Sequence, residues 1–165
     1  MTVTVLVGNP KPRSRTWQAA HRVARGLTGA DPDTAIDLAD FGAALLDQAD
    51  AAVAEAVAAL ATTDLLVIAS PTYKGSYTGL LKIFLDRIGG GALVGVTAVP
   101  VMLGGHWRHG LAAEAFLKPV LAELGASCPT GGLYLLDSEW DAPDALDHWL
   151  PAARRQLAAT LGEPV

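Results

Sequence analysis

The sequence predicts an α/β fold of three layers, a five-stranded parallel sheet with helices packed on both faces. Short β-branched and aliphatic runs alternate with longer segments of helical periodicity, the pattern of repeated β-α units. Two of the runs, Leu65-Leu66-Val67-Ile68-Ala69 and Val99-Pro100-Val101-Met102-Leu103, are apolar without alternation, as strands covered on both faces are. A length of 165 residues is enough to bury one core without disulfides or metals, so 1–165 is expected to form a single domain.

The first strand is expected at Val3 to Val7, immediately after Met1, with no basic segment or cleavable apolar stretch before it. A helix follows over 16–28. The second strand is expected at Thr34 to Leu38, then an alanine-rich helix over 50–62, then a central strand from Leu65 to Ser70. The next helix, 79–88, carries Leu80, Leu81, Ile83, Phe84, Leu85 and Ile88. At about 100° per residue these cover roughly 200° of its circumference. Such breadth suits either a subunit interface or a helix lodged between the sheet and another part of its own chain.

The fourth strand is expected from Val96 to Leu103, its pairing starting at Val101 because Pro100 lacks a ladder donor. A helix is predicted over 108–124 and a fifth strand from Gly132 to Leu136. The last helix is predicted over 142–161, with Asp141 as N-cap, Pro143 in the first turn, and Leu146, Trp149, Leu150, Ala153, Leu157 and Leu161 on one face.

A net charge of -5 argues against a sequence-independent grip on nucleic acid, which needs Lys and Arg on the phosphates. Cys128 is the single cysteine, so no internal disulfide can form, and the chain is expected to be cytoplasmic. No apolar run approaches the ~20 residues that cross a bilayer, so no membrane partner is expected.

Three loops stand out. Gly8-Asn9-Pro10-Lys11-Pro12-Arg13-Ser14-Arg15-Thr16 follows the first strand and opens the first helix. Backbone N–H groups at the helix start and the Ser14 and Thr16 hydroxyls can donate to a phosphate. Lys11, Arg13 and Arg15 place three of the chain's twelve basic residues within five positions, which suggests a local anion. The same loop also suits a capped helix with a solvated basic turn. Neither G-x-G-x-x-G nor G-x-x-x-x-G-K-[ST] is present, so a terminal monophosphate fits better than a pyrophosphate.

The second loop, Pro71-Thr72-Tyr73-Lys74-Gly75-Ser76-Tyr77-Thr78-Gly79, leaves the third strand. It offers an aromatic flank at Tyr73 and small residues against which a flat ring can lie, or it is an ordinary turn with surface tyrosines. The third, Gly104-Gly105-His106-Trp107, permits close backbone approach; His106 is either a contact to a cofactor or nicotinamide or a surface residue. In a sheet of order 2-1-3-4-5, strands one, three and four are neighbours and ligands bind beyond their carboxyl ends, so the three loops converge. The loop after the second strand, around Asp40 to Gly42, carries nothing comparable.

These residues resemble the NADPH-dependent FMN reductase family, and within it the flavin reductases that serve sulfonate monooxygenases. The marks are Gly8-Asn9-Pro10 through Ser14-Arg15-Thr16, the block Ser70 to Gly79, Gly104-Gly105 and Leu117-Lys118-Pro119-Val120-Leu121. The resemblance implies a flavodoxin-like three-layer sandwich and FMN and NADPH as cofactors, with NADH possible. It implies that Ser14, Arg15 and Thr16, with Asn9 and Arg13 beside them, hold the FMN phosphate. It further implies that Pro71, Thr72, Tyr73, Lys74, Gly75 and Ser76 cradle the isoalloxazine, and that Gly104 and Gly105 approach its pyrimidine edge. Homodimers or homotetramers are also implied. Asn9 stands where a serine is common in the family, and Ala115 where some relatives carry a tyrosine that distorts the helix at their tetramer interface.

Flavin carries the hydride chemistry itself, so no catalytic side chain is required. Consistent with this, His21, His106, His109 and His148 form no triad or metal-ligand spacing in the sequence. The expected activity is hydride transfer from NADPH to FMN, the reduced FMN leaving to supply a partner monooxygenase. The alternative is an enzyme that retains FMN and reduces a quinone, azo dye or similar acceptor. A noncatalytic flavodoxin-like electron carrier fits less well, because a carrier docking large partners usually has a more strongly acidic face. Arg13, Arg15, Lys74 and Arg108 are candidates for meeting the 2′-phosphate of NADPH.

Overall fold

A computed structural model describes residues 1–162. Its strands are β1 (Val3–Val7), β2 (Thr34–Asp37), β3 (Leu65–Pro71), β4 (Thr97–Gly104) and β5 (Leu133–Leu136). The helices are α1 (Arg15–Thr28), α2 (Ala51–Leu60), α3 (Gly79–Leu85), α4 (Lys118–Glu123) and α5 (Leu150–Leu161). All strand pairs are parallel, in the order β2-β1-β3-β4-β5. This is the expected flavodoxin-like fold. None of the described helices is long and apolar enough to cross a membrane.

The unalternating strands have a direct physical cause, because each face of the sheet has its own core. Val5, Val67, Val99 and Val101 pack under Ala19, Val23 and Leu27 of α1 and Leu157 of α5. Leu6, Leu66, Ile68 and Met102 pack on the other face against Leu81, Phe84, Leu117 and Leu121. Side chains alternate between faces with period two, so a strand buried on both must be apolar at every position. Ser14, Asp50 and Thr78 cap α1, α2 and α3 by accepting the N–H of Trp17, Val53 and Leu81, each cap contributing about 1 kcal/mol.

Pro100 lies inside β4, contrary to the expected start at Val101. Ala98 N–H points away from β3, donating to Ser127 O at 2.7 Å, whereas Thr97 N–H donates to Asp64 O on the β3 side. By the two-residue alternation the missing Pro100 donor faces the β5 side, and β5 pairs with β4 only from Val101 onward. The proline falls before the β4–β5 ladder begins.

Two predicted helices are broken. Over 108–124 the chain forms a 3-10 turn at Trp107–His109, a π turn at Ala113–Leu117 and then α4. Pro119 has no N–H for the Ala115 carbonyl, and Lys118 N–H bonds Ala113 O, five residues back. The helix is therefore distorted with alanine at 115. Glu114 and Lys118 fasten it to the entry of β5, Glu114 Oε2 accepting Gly132 N–H at 2.7 Å and Lys118 Nζ reaching Thr130 O at 2.9 Å. That ammonium first, and the Gly132 amide second, hold the Glu114 carboxyl below the usual range.

The last helix starts at Leu150, not at 142, with Trp149 as its cap residue and Pro151 in its first turn. Residues 142–149 form a series of turns. The Arg22 guanidinium takes the carbonyls of Trp140, Ala142 and Pro143 at 2.8, 2.6 and 3.1 Å, and Trp149 Nε1 is pinned to Gly131 O at 2.9 Å. Pro151 offers no N–H to the Asp147 carbonyl, which removes a rung of the helical ladder at this point.

The broad apolar face on α3 is largely covered by its own chain. Leu81, Phe84, Leu85 and Ile88 are buried with Leu38 and Leu45 of the turns after β2, and Leu80 packs against the same core. Ile83 is left 37% exposed.

Burial pushes the Cys128 thiol up to about 11. At pH 8 roughly one molecule in a thousand carries the thiolate, against about a quarter for a free thiol. Alkylation by iodoacetamide at pH 8 is expected to run about two hundredfold slower in the folded protein than after denaturation. Equal rates would contradict this account.

Candidate functional site

The three loops are tied together at their roots. Gly8 N–H donates to Ala69 O at 2.8 Å, and Thr78 Oγ1 donates to Gly8 O at 2.6 Å. Ser70 Oγ accepts Thr78 N–H at 3.0 Å, and Thr72 N–H reaches Leu103 O at 2.6 Å. The first loop is thereby joined to the second and the second to the third, all beyond the carboxyl ends of β1, β3 and β4. Ser70 and Thr78 carry these ties from buried positions. In the sequence they were marks of a block without a role.

In the first loop Asn9 is buried and works on the loop itself. Its Nδ2 donates to Thr16 Oγ1 at 3.0 Å and its Oδ1 accepts Lys11 N–H at 2.9 Å. Ser14 and Thr16 hydroxyls both serve as acceptors, for Trp17 N–H and Asn9 Nδ2, so their own O–H protons remain to be donated. Arg15 and Thr16 N–H groups at the start of α1 have no partner among the described residues, the ordinary state of a helix N-terminus facing an anion.

Arg13 is held by two carboxylates. Its Nη1 lies 2.9 Å from Asp37 Oδ2 and its Nη2 lies 2.8 Å from Asp40 Oδ2, while its guanidinium covers the Trp17 ring at 4.5 Å. Asp40 first and Asp37 second raise its already high pKa. Its backbone N–H also donates to Asp37 Oδ2 at 2.9 Å. Arg13 sits at φ 48, a left-handed conformation costing about 1–2 kcal/mol for a residue with a Cβ. The Asp37 carboxylate, with 0% of its side chain exposed, holds that conformation. Asp37 at the end of β2, with Asp40 in a stretch whose sequence carries no motif comparable to the three loops, thus supplies the clasp of the first loop. No spacing signals it, because twenty-four residues separate the partners.

In the second loop Pro71 is the buried last residue of β3. Tyr73 and Ser76 exchange both backbone hydrogen bonds, at 2.8 and 3.2 Å, with Lys74 at φ 54 and Gly75 at φ 84 between them. This is a two-residue hairpin of the type that needs positive φ at both central positions. It lifts Tyr73 to 52% exposure. The Thr72 hydroxyl is buried with no hydrogen-bond partner among the described residues.

In the third loop Gly104 is packed tightly, since a Cβ there would collide with Tyr134 Oη and lie 3.1 Å from Thr72 Oγ1. Gly105 is open, a Cβ there meeting nothing within 4 Å. His106 Nδ1 accepts Arg108 N–H at 3.0 Å, capping the short turn, and His106 O accepts Tyr134 Oη–H at 3.0 Å. The histidine is therefore an exposed structural cap through Nδ1. Arg15 Nη1 spans toward β5, reaching Asp137 O at 3.4 Å.

The residues present fit FMN on three counts. Free amides and hydroxyl protons stand at the start of α1, an unpartnered buried hydroxyl stands at Thr72, and open space lies over Gly105.

A parallel three-layer α/β sheet with special loops at the ends of its central strands defines the flavodoxin-like class. The chain belongs to the NADPH-dependent FMN reductase family, whose sequence profile matches residues 1–141. It is accordingly an oxidoreductase, an NAD(P)H-dependent FMN reductase that uses FMN and NADPH or NADH. It is 33% identical over 135 residues to an FMN reductase (NADPH) of Pseudomonas aeruginosa, covering 79% of this chain and 72% of that protein. It is 32% identical over 172 residues to the NADH-dependent FMN reductase SfnF of Pseudomonas fluorescens, covering 100% of this chain and 91% of that one. The crystal structure of an NADH:FMN oxidoreductase (EMOB) in its apo form superposes with a TM-score of 0.85 at 30% identity, covering 96% and 89% of the two chains.

Proposed function

We propose that Ser14, Arg15 and Thr16 hold the FMN phosphate, that Pro71 to Ser76 cradle the isoalloxazine, and that Gly104 and Gly105 approach its pyrimidine edge. Reduced FMN then leaves to supply a separate flavin-dependent monooxygenase in the cytoplasm. The observation that carries this reading is the pair of 2.6 Å bonds, Thr78 Oγ1 to Gly8 O and Thr72 N–H to Leu103 O, which hold the three loops to one another.

Bound FMN supplies the hydride acceptor, and the chain's task is positioning. The helix start and two hydroxyls anchor the phosphate. Asn9 and Arg13 shape the loop that presents them. The exposed Tyr73 flank leaves the cradle open to solvent, which favours exchange of the flavin over retention. Lys74 and Arg108 share one cavity beside the second loop and are the cations proposed to meet the 2′-phosphate of NADPH, since Arg13 is engaged by two aspartates. Exposed Leu111, just before the π turn, and Phe116, within it, are with Ile83 the proposed contacts of a homodimer or homotetramer.

Steady-state oxidation of NADPH with limiting flavin tests the release of FMN. Activity is expected to rise to saturation with added FMN, and full activity of the purified protein without it would overturn release in favour of a retained cofactor.

Two substitutions test the placement of the ring. Thr72→Val removes a buried hydroxyl that has no partner, so stability is expected to hold or to rise by up to about 1 kcal/mol, while FMN affinity falls about tenfold. An unchanged dissociation constant in a fluorescence titration would remove Thr72 from the site. Gly105→Ala adds a Cβ that meets nothing within 4 Å, so the melting temperature is expected to stay within about 2 °C while FMN affinity falls about tenfold. Retained affinity would place the ring elsewhere.

A further inference from the structure

A cavity of about 600 Å³ runs along the outer edge of β5, and none of the residues proposed to hold FMN lines it. Residues 142–149, which form turns, supply one of its walls. Its size is that of a small-molecule site, for which about 300–1,000 Å³ is usual.

The walls define a chemistry. Trp107, Tyr134 and Trp149 contribute aromatic surface. Two of the three are fixed in place, Trp149 by its indole N–H on Gly131 O at 2.9 Å and Tyr134 by its hydroxyl on His106 O at 3.0 Å. Glu139, Asp144 and His148 are the other polar side chains, and no lysine or arginine is among the described lining residues. Phosphates and carboxylates are therefore disfavoured.

The strand edge supplies directed polar groups. Asp137 N–H donates inward to Gly104 O of β4, and Gly132 N–H is turned outward to Glu114. By alternation the N–H and C=O of Tyr134 also face outward, and no strand lies beyond β5 among the described residues. One residue thus presents a donor beside an acceptor on the cavity floor. The edge is four residues long, so only Tyr134 and Leu136 point outward, too few to add a peptide strand.

We propose that this cavity is a second ligand site for a flat, uncharged or cationic heteroaromatic molecule with an amide-like edge, an N–H beside a C=O. The edge pairs with the Tyr134 backbone and the ring lies on the aromatic walls. The site does not depend on the flavin reading.

Calorimetric titration with isoquinolin-1(2H)-one, a flat lactam, tests it on the full chain with and without saturating FMN. One molecule is expected to bind per chain in both conditions. The N-methyl analogue, which lacks the donor, and the 4-carboxylate analogue, which is anionic, are each expected to bind at least tenfold more weakly. Ala145→Phe, which fills a half-buried position on the wall, is expected to abolish lactam binding and leave FMN reduction unchanged. Glu139→Lys, at an exposed position, is expected to narrow the gap between the carboxylate analogue and the parent lactam at least fivefold, and decides the question should Ala145→Phe not fold. Absence of binding, displacement by FMN, equal affinity for the N-methyl analogue, undiminished binding by folded Ala145→Phe, or an unchanged gap in Glu139→Lys would each overturn the proposal.

Discussion

Replacing Asp37 with alanine is expected to cost about 2–3 kcal/mol of stability and to weaken FMN binding at least tenfold. The carboxylate accepts Arg13 N–H, Arg13 Nη1 and Ala39 N–H at 2.9, 2.9 and 3.3 Å. Hydrogen bonds to a buried charge are worth about 1.5–3 kcal/mol each where no water replaces them. Breaking a fully buried ion pair costs about 3–5 kcal/mol because it strands a charge. Arg13, 56% exposed and still paired with Asp40, is not stranded, so the lower figure applies. The functional loss has a separate cause. Without the carboxylate the Arg13 N–H loses its acceptor, φ 48 keeps only the side-chain contacts to Asp40 and Trp17, and the turn presenting Ser14 to Thr16 relaxes. Urea denaturation and FMN fluorescence quenching measure the two effects. A destabilised variant that binds FMN with its original affinity would show that the clasp serves the fold alone.

Replacing Gly8 with alanine is expected to be nearly as damaging. The added Cβ would lie 2.5 Å from Leu81 Cβ and 3.2 Å from Leu81 Cα, so backbone as well as side chain must move. Leu81 is fully buried in the first turn of α3, and overpacking of that kind costs about 1–3 kcal/mol. Pushing α3 away from β1 also stretches the Thr78 to Gly8 bond that ties two site loops. A fall in melting temperature of roughly 5–10 °C with a parallel loss of FMN affinity is expected. Gly79→Ala, at the first residue of α3 with nothing within 4 Å, is the control and should be neutral. An unperturbed Gly8→Ala would mean that β1 and α3 can separate without consequence for the site.

The sheet was legible because burial on both faces leaves a signature at every residue of a central strand, as in Leu65 to Ala69. The convergence of the loops followed from strand order alone. The two failed helices carried the right apolar spacing, and the terms that broke them act at a distance or on one atom. Arg22 takes carbonyls more than a hundred residues away along the chain, and Pro119 and Pro151 withhold single donors. A periodicity argument registers neither.

The strands, the burial of both faces of the central ones and the positions of the special loops were therefore set by local pattern, since hydrophobic burial is repetitive and its period is written in the chain, while the strand order came with the flavodoxin-like resemblance. Which polar groups in those loops remain available was decided only by the packed structure. Asp37 commits Arg13, Asn9 commits itself to Thr16 and Lys11, and Thr72 is left with an unpartnered hydroxyl. Hydrogen bonds depend on the distance and angle of individual atoms brought together by folding, and those are quantities that sequence spacing does not contain.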